Sequence, residues 1–181
     1  MKLVYIVQPF MIRQVRVNYL LCTQDTWDKI ELACTELGWN KSEIVKQMLH
    51  GFFARDLKES QFYAKAGIAD AEARGMTEAE YFRTLRDDKE PQLLPYVSGR
   101  PVFGQSPIDT IPPLPTDEDL RRKYNTIGLS AYNYVLLRVA QIVHDSSFVQ
   151  IVSRMLVKHL QDSWETSYRP QIERDQNCRF L

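Results

Sequence analysis

From Gln14 to Cys22 the chain alternates, with Val15, Val17, Tyr19 and Leu21 on one side and Gln14, Arg16, Asn18 and Leu20 on the other. A period of two over this length predicts a half-buried β-strand. The period then changes. From Gln24 onward Trp27, Ile30, Ala33, Cys34 and Leu37 recur every three or four residues, which is the stripe of one helical face. Thr23 stands where an N-cap belongs, Asp25 and Asp28 complement the helix dipole, and Gly38 ends the run as a left-handed C′ residue does. Trp39-Asn40-Lys41-Ser42 then turns into a second helix that buries Ile44, Val45, Met48, Leu49, Phe52 and Phe53. The predicted order is strand, helix, glycine turn, helix.

The same order returns near the other end of the chain. Asn18 to Met48 can be laid on Asn125 to Met155 with no gap, so that Asn18 meets Asn125, Leu20 meets Ile127, Thr23 meets Ser130, Ala33 meets Ala140, Ile44 meets Ile151 and Met48 meets Met155. Such internal repetition predicts two copies of one supersecondary unit. In the second copy Tyr124 to Leu129 is the strand, Ser130 the cap, and Tyr134, Leu137, Val139, Ala140 and Val143 the first helical core. His144-Asp145-Ser146-Ser147-Phe148 replaces the glycine turn, with Asp145 in the left-handed position. Ile151, Val152, Met155, Leu156 and Leu160 furnish the second helix.

Gly38-Trp39-Asn40-Lys41-Ser42-Glu43-Ile44-Val45, preceded by a helix and a short strand, resembles the ribbon-helix-helix family of DNA-binding proteins, the Arc, MetJ and CopG type. The resemblance covers about 40 residues of the first copy. It implies a mainly α fold of tandem ribbon-helix-helix modules forming an intrachain pseudo-dimer, with a short antiparallel two-stranded ribbon and four core helices. Strand 15–21 is expected to pair with strand 124–129, and the competing arrangement is a homodimer in which each copy pairs with its own mate. Self-association is expected. The segments on this reading are 1–55 (N-terminal segment and first module), 56–122 (a helical, then proline-rich connector), 123–165 (second module) and 166–181 (a polar tail).

By the same resemblance the ribbon enters the major groove of double-stranded DNA. Arg16, Asn18, Lys123 and Asn125 would read base edges, and Lys41 and Ser42, with Ser146 and Ser147 as counterparts, would contact phosphates. That assignment holds if Val15, Val17, Tyr19 and Leu21 face the core. Counting back from the helix cap instead turns Cys22 and Leu20 inward and leaves Val17, Tyr19 and Leu21 as an outward apolar face, and a one-residue slip exchanges the two. The two registers carry two functions. The first is a transcriptional regulator or a DNA-partition adaptor. The second is an adaptor that engages a protein partner or filament, in the manner of ParR-type partition proteins, or a membrane surface through residues 1–12.

Composition adds limits. The chain has 181 residues with formal net charge +0, so any basic surface that meets DNA must be local. Cys22, Cys34 and Cys178, and His50, His144 and His159, match no zinc, disulfide or triad spacing, and no glycine-rich phosphate loop appears. No catalytic residue, cofactor or metal is expected, and the thiols fit a reduced, cytoplasmic protein. The apolar run Met1 to Ile12 is too short for a spanning helix and lacks a cleavage site. Between the copies, Leu57 to Gly75 reads as a helix and Thr77 to Glu80 as a capping box opening another. Pro91 to Pro115 reads as an extended strap over the surface, Thr116 to Asp119 as a helix start, and the tail after Tyr168 as polar chain, either disordered or packed on the body.

Overall fold

The structure, a computed structural model, describes residues 12–54, 58–87 and 105–178. It is mainly helical, with one small antiparallel ribbon. The apolar run before Ile12 and the connector from residue 88 to residue 104 lie outside the described residues.

The ribbon is built within one chain. β1 (Ile12–Arg16) pairs with β4 (Thr126–Ser130), and β2 (Tyr19–Leu21) with β3 (Arg121–Lys123). A single register runs from Ile12 opposite Ser130 to Leu21 opposite Arg121, yet the ladder changes phase at its middle. Regular antiparallel pairs bond alternately. Here the neighbouring pairs both bond, Val17 N–H to the Asn125 carbonyl at 2.8 Å and Tyr124 N–H to the Asn18 carbonyl at 3.1 Å. The inward side therefore shifts by one residue: Val15 and Val17 are buried before the break, Leu20 and Cys22 after it. Leu21 is buried as well, so beyond the break both sides of the strand are covered, and neither register read from the sequence describes its whole length.

Each strand leads into a helix pair. Thr23 caps α1 (Gln24–Leu37), which ends on Gly38 at φ 67°, and Asn40 caps α2 (Lys41–Phe53) in a reciprocal capping box with Glu43. Ser130 caps α5 (Ala131–His144), which ends on Asp145 at φ 46°, and Ser147 caps α6 (Phe148–Ser163). Each cap and turn residue stands the same distance along the chain from its counterpart. α5 is buried along most of its length, and one continuous apolar cluster joins the ribbon's inner face to all four helices.

The connector contributes α3 (Lys58–Ala73) and α4 (Glu78–Asp87), the latter opened by the Thr77 and Glu80 capping box. α3 lies close against α5 because Gly67 faces it: a Cβ there would sit 2.7 Å from Phe82 and 3.1 Å from Val139. The strap that follows is not confined to the surface, as its sequence predicts. Ile108 and Ile111 are buried, Arg154 of α6 donates to both of their carbonyls (2.9 and 2.8 Å), and the Gln150 amide brackets the Leu114 backbone. The expected helix start at Thr116 amounts to one 3-10 turn, Glu118–Leu120.

The tail is helical and packed. α6 widens into a π-turn, Trp164–Tyr168, and continues as α7 (Arg169–Cys178). Pro170 lacks an N–H and its ring crowds the preceding turn, which accounts for the widening. Ile172 and the Trp164 and Tyr168 rings, stacked 5.9 Å apart, tie this end to the core. Among the described residues no single helix is long and apolar enough to cross a membrane.

Candidate nucleic-acid interface

On the outer side of the ribbon one strand exposes Gln14, Arg16 and Asn18, and the other exposes Arg121, Lys123 and Asn125. All four residues expected to read bases are thus at the surface. Arg16 Nε donates to Asn18 Oδ1 at 3.1 Å, and the Thr126 hydroxyl donates to Asn125 Oδ1 at 3.2 Å, which holds these side chains over the ribbon. Arg16 and Lys123 have no carboxylate partner among the described residues. Arg13, by contrast, pairs with Asp87 at 3.6 Å, and its guanidinium lies 5.9 Å from the Tyr134 ring centroid.

The apolar face predicted as the alternative is absent. Val17 and Leu21 are fully buried and Tyr19 is half-buried beneath the Arg121 guanidinium, 5.0 Å from its ring centroid. Val17 lies on the inward side with Val15, and Leu21, opposite in facing to Leu20, is covered by α6. Leu21 donates its N–H to Ser153 Oγ of α6 at 2.8 Å.

Beside β3 the fold assembles a cationic and aromatic stack from three separate segments. The Lys41 ammonium sits 3.9 Å from the Trp27 ring centroid, and the Arg122 guanidinium lies 5.8 Å from the same ring. Arg122 also donates to Gln24 Oε1 at 3.0 Å, and Lys41 pairs with Glu31 at 3.5 Å. Ser42 is exposed beside the Tyr124 phenol, whose pKa is raised by burial and pulled back partly by Ser42. Lys41 and Ser42 are therefore close to the ribbon. The Asn40 N–H at the same helix start already binds the Glu43 carboxylate at 2.8 Å.

The corresponding helix start in the second half differs. Ser147 is used as the cap of α6, and Ser146 donates to the His144 carbonyl at 2.9 Å. Phe148 and Val149 stand where Lys41 and Ser42 stand, and Phe148 packs on Tyr134, ring centroids 6.5 Å apart, in the place of the Lys41 to Trp27 contact. Phe148 thus follows the capping Ser147 where Lys41 follows the capping Asn40.

One cluster has no counterpart in the residue spacing. Ser106 Oγ lies 2.9 Å from His144 Nε2 and 3.1 Å from the Tyr63 hydroxyl, and His144 Nδ1 lies 3.7 Å from Asp109 Oδ1. Asp109 Oδ2 accepts the Ser106 N–H at 2.9 Å, so the serine and aspartate also close their own turn. Ser106 is buried, and the group fastens the strap to the C-terminal end of α5. No spacing signal could have found it, because its members are drawn from α3, the strap and α5.

The cysteines are not gathered either. Burial pushes the Cys22 thiol up to about 12 against a weaker opposing effect of Arg122, and it raises the Cys34 thiol as well. Cys178 is exposed on α7. No group of three or more potential metal ligands occurs among the described residues. No protein-family model, curated protein or solved structure matches the chain.

Proposed function

We propose that this chain is a non-enzymatic DNA-binding protein, a transcriptional regulator or DNA-partition adaptor, built as a tandem ribbon-helix-helix pseudo-dimer. The matched caps and turns of the two halves support that architecture, as does the ribbon, whose phase change falls between Val17 and Asn18 on one strand and Tyr124 and Asn125 on the other. About that point Arg16 corresponds to Lys123 and Asn18 to Asn125. The observation that carries the reading is that these four polar side chains are exposed while Val15, Val17, Leu20, Ile127 and Leu129 are buried behind them.

The chemistry suits a major groove. Arginine and lysine donate to guanine, and the asparagine amide both donates to and accepts from adenine. Lys41 and Ser42 would position the phosphate backbone, with Ser146 and Ser147 as a weaker second set. A cytoplasmic location goes with this reading.

Fluorescence anisotropy of the full chain with labelled duplex DNA tests it. Affinity should fall steeply between about 50 and 200 mM salt, because neutralised phosphates release counterions. Arg16→Gln and Lys123→Gln should weaken binding further with the fold unchanged by circular dichroism. Absent or salt-insensitive binding would end the proposal.

A further inference from the structure

Between the turn that joins α1 to α2 and the C-terminal helices lies a cleft of about 270 Å³, lined by Trp39 and Gln47 on one side and by α6, the π-turn and α7 on the other. On the second side His159, Ser163, Ser167 and Gln171 stand four residues apart. Residues so spaced drift around a regular helix, because about 3.6 make a turn. The π-turn, Trp164–Tyr168, is wider and takes up that drift, so the whole row lines one cleft.

The floor is aromatic and uncharged. Trp39 meets Tyr168 edge to face, ring centroids 5.9 Å apart, and Trp164 stacks on the same Tyr168 ring. The Tyr168 hydroxyl and His159 Nε2 hydrogen-bond at 2.9 Å, and burial holds the imidazole below its usual pKa against a weaker upward effect of Asp162. The rest of the lining is polar and unengaged, since the side chains of Gln47, Ser163, Ser167 and Gln171 make no hydrogen bond to the described residues. No acid, lysine or arginine lines the cleft. From Lys158 to Arg169 the charged residues pair with one another, Lys158 with Asp162 and Glu165 with Arg169, and Lys46, next to Gln47, lines other clefts.

We infer that this cleft binds a small neutral polyhydroxylated ring, a monosaccharide or a cyclic polyol. Each unengaged side chain both donates and accepts, as a sugar hydroxyl does. The C–H face of such a ring suits an aromatic surface, and the half-buried Trp39 supplies one. A charged ligand would give up hydration with no opposite charge to meet it. The volume lies just below the roughly 300–1,000 Å³ of drug-sized sites, which fits a single ring. None of the lining residues belongs to the ribbon, so binding here does not rest on the DNA-binding reading.

Ligand-observed NMR titrations of the full chain with glucose, galactose, ribose and myo-inositol test the site, with glucuronate and glucose 6-phosphate as anionic counterparts. At least one neutral compound should bind, and more tightly than either anion. Gln47→Ala and Gln171→Ala each remove an amide that makes no hydrogen bond within the fold, so each should weaken that binding about two- to tenfold with circular dichroism unchanged. The assignment is overturned if none of the four neutral probes binds, if an anion binds as tightly as they do, or if either variant leaves the affinity unchanged.

Discussion

Gly38 and Asp145 occupy the same left-handed turn in the two halves, and exchanging their chemistry has opposite consequences. Gly38 sits at φ 67°, and a Cβ built on it meets nothing within 4 Å. Gly38→Ala therefore adds no clash, and its cost is the backbone's alone. Left-handed geometry costs an L-residue about 1–2 kcal/mol, while the loss of glycine's freedom in the unfolded chain returns about 0.4–1 kcal/mol. The net loss is about 1 kcal/mol. Asp145, at φ 46° and ψ 51°, already bears that strain, reduced because a short polar side chain tolerates the conformation. Asp145→Gly removes it and adds unfolded-state entropy, leaving a gain of about 0 to 1 kcal/mol. For a chain of this size 1 kcal/mol moves Tm by about 2–4 °C, which thermal melts by circular dichroism resolve, and urea midpoints at constant m-value give a second measure. The reasoning fails if Gly38→Ala is neutral or stabilising, or if Asp145→Gly destabilises as much as Gly38→Ala does.

Three further outcomes follow from packing and ionisation. Gly67→Ala should destabilise by about 1–3 kcal/mol in urea titrations, because the new methyl meets the Phe82 ring at 2.7 Å and Val139 at 3.1 Å where α3 approaches α5; an unchanged midpoint would contradict that approach. Ile108→Ala should cost about 2–5 kcal/mol, as expected of a fully buried side chain and not of a surface strap, and a cost below about 1 kcal/mol would return the segment to the surface. Cys22 has a folded pKa raised from 9.0 to about 12, so the unfolded thiol loses its proton first. Its contribution is complete below pH 9 and disappears as pH climbs toward 12. At pH 10 the loss is about 1.4 kcal/mol, so the fall in stability between pH 8 and pH 10 should shrink by about that much in Cys22→Ala, and an equal fall in both proteins would refute the burial.

Much of the fold was legible in the local pattern. Thr23, Ser130, Gly38 and Asp145 stand where capping chemistry and the change from period two to period 3.6 put them. So do the Thr77 and Glu80 box and the apolar faces of α2 and α6, since caps and amphipathic stripes depend on residues within one or two turns of each other. The strand face was not legible. Val17 and Leu21 are as apolar as an outward interaction face would require, and their burial depends on what packs over each side of the strand, α6 in the case of Leu21, more than 100 residues away.

The strap and tail show the same division. Their prolines and polar residues indicate extended or loose chain. Ile108 and Ile111 are nevertheless drawn inward because Arg154 and Gln150 satisfy the strap's backbone, and Ile172 and Tyr168 because the tail finds an open apolar surface. The candidate site is divided likewise. Arg16 and Asn18 can be named from their alternation with apolar neighbours, and Lys123 and Asn125 as their counterparts in the second copy. The stack of Lys41 and Arg122 on Trp27, the pairing of Arg13 with Asp87 and the meeting of Ser106 with His144 join distant segments. The sequence by itself determined the caps and the strand-helix-helix order that occurs twice along the chain, because those follow from neighbours along the chain. Tertiary structure alone decided which ribbon face meets solvent and what its cations pair with, because burial and ion pairing depend on what lies across the fold.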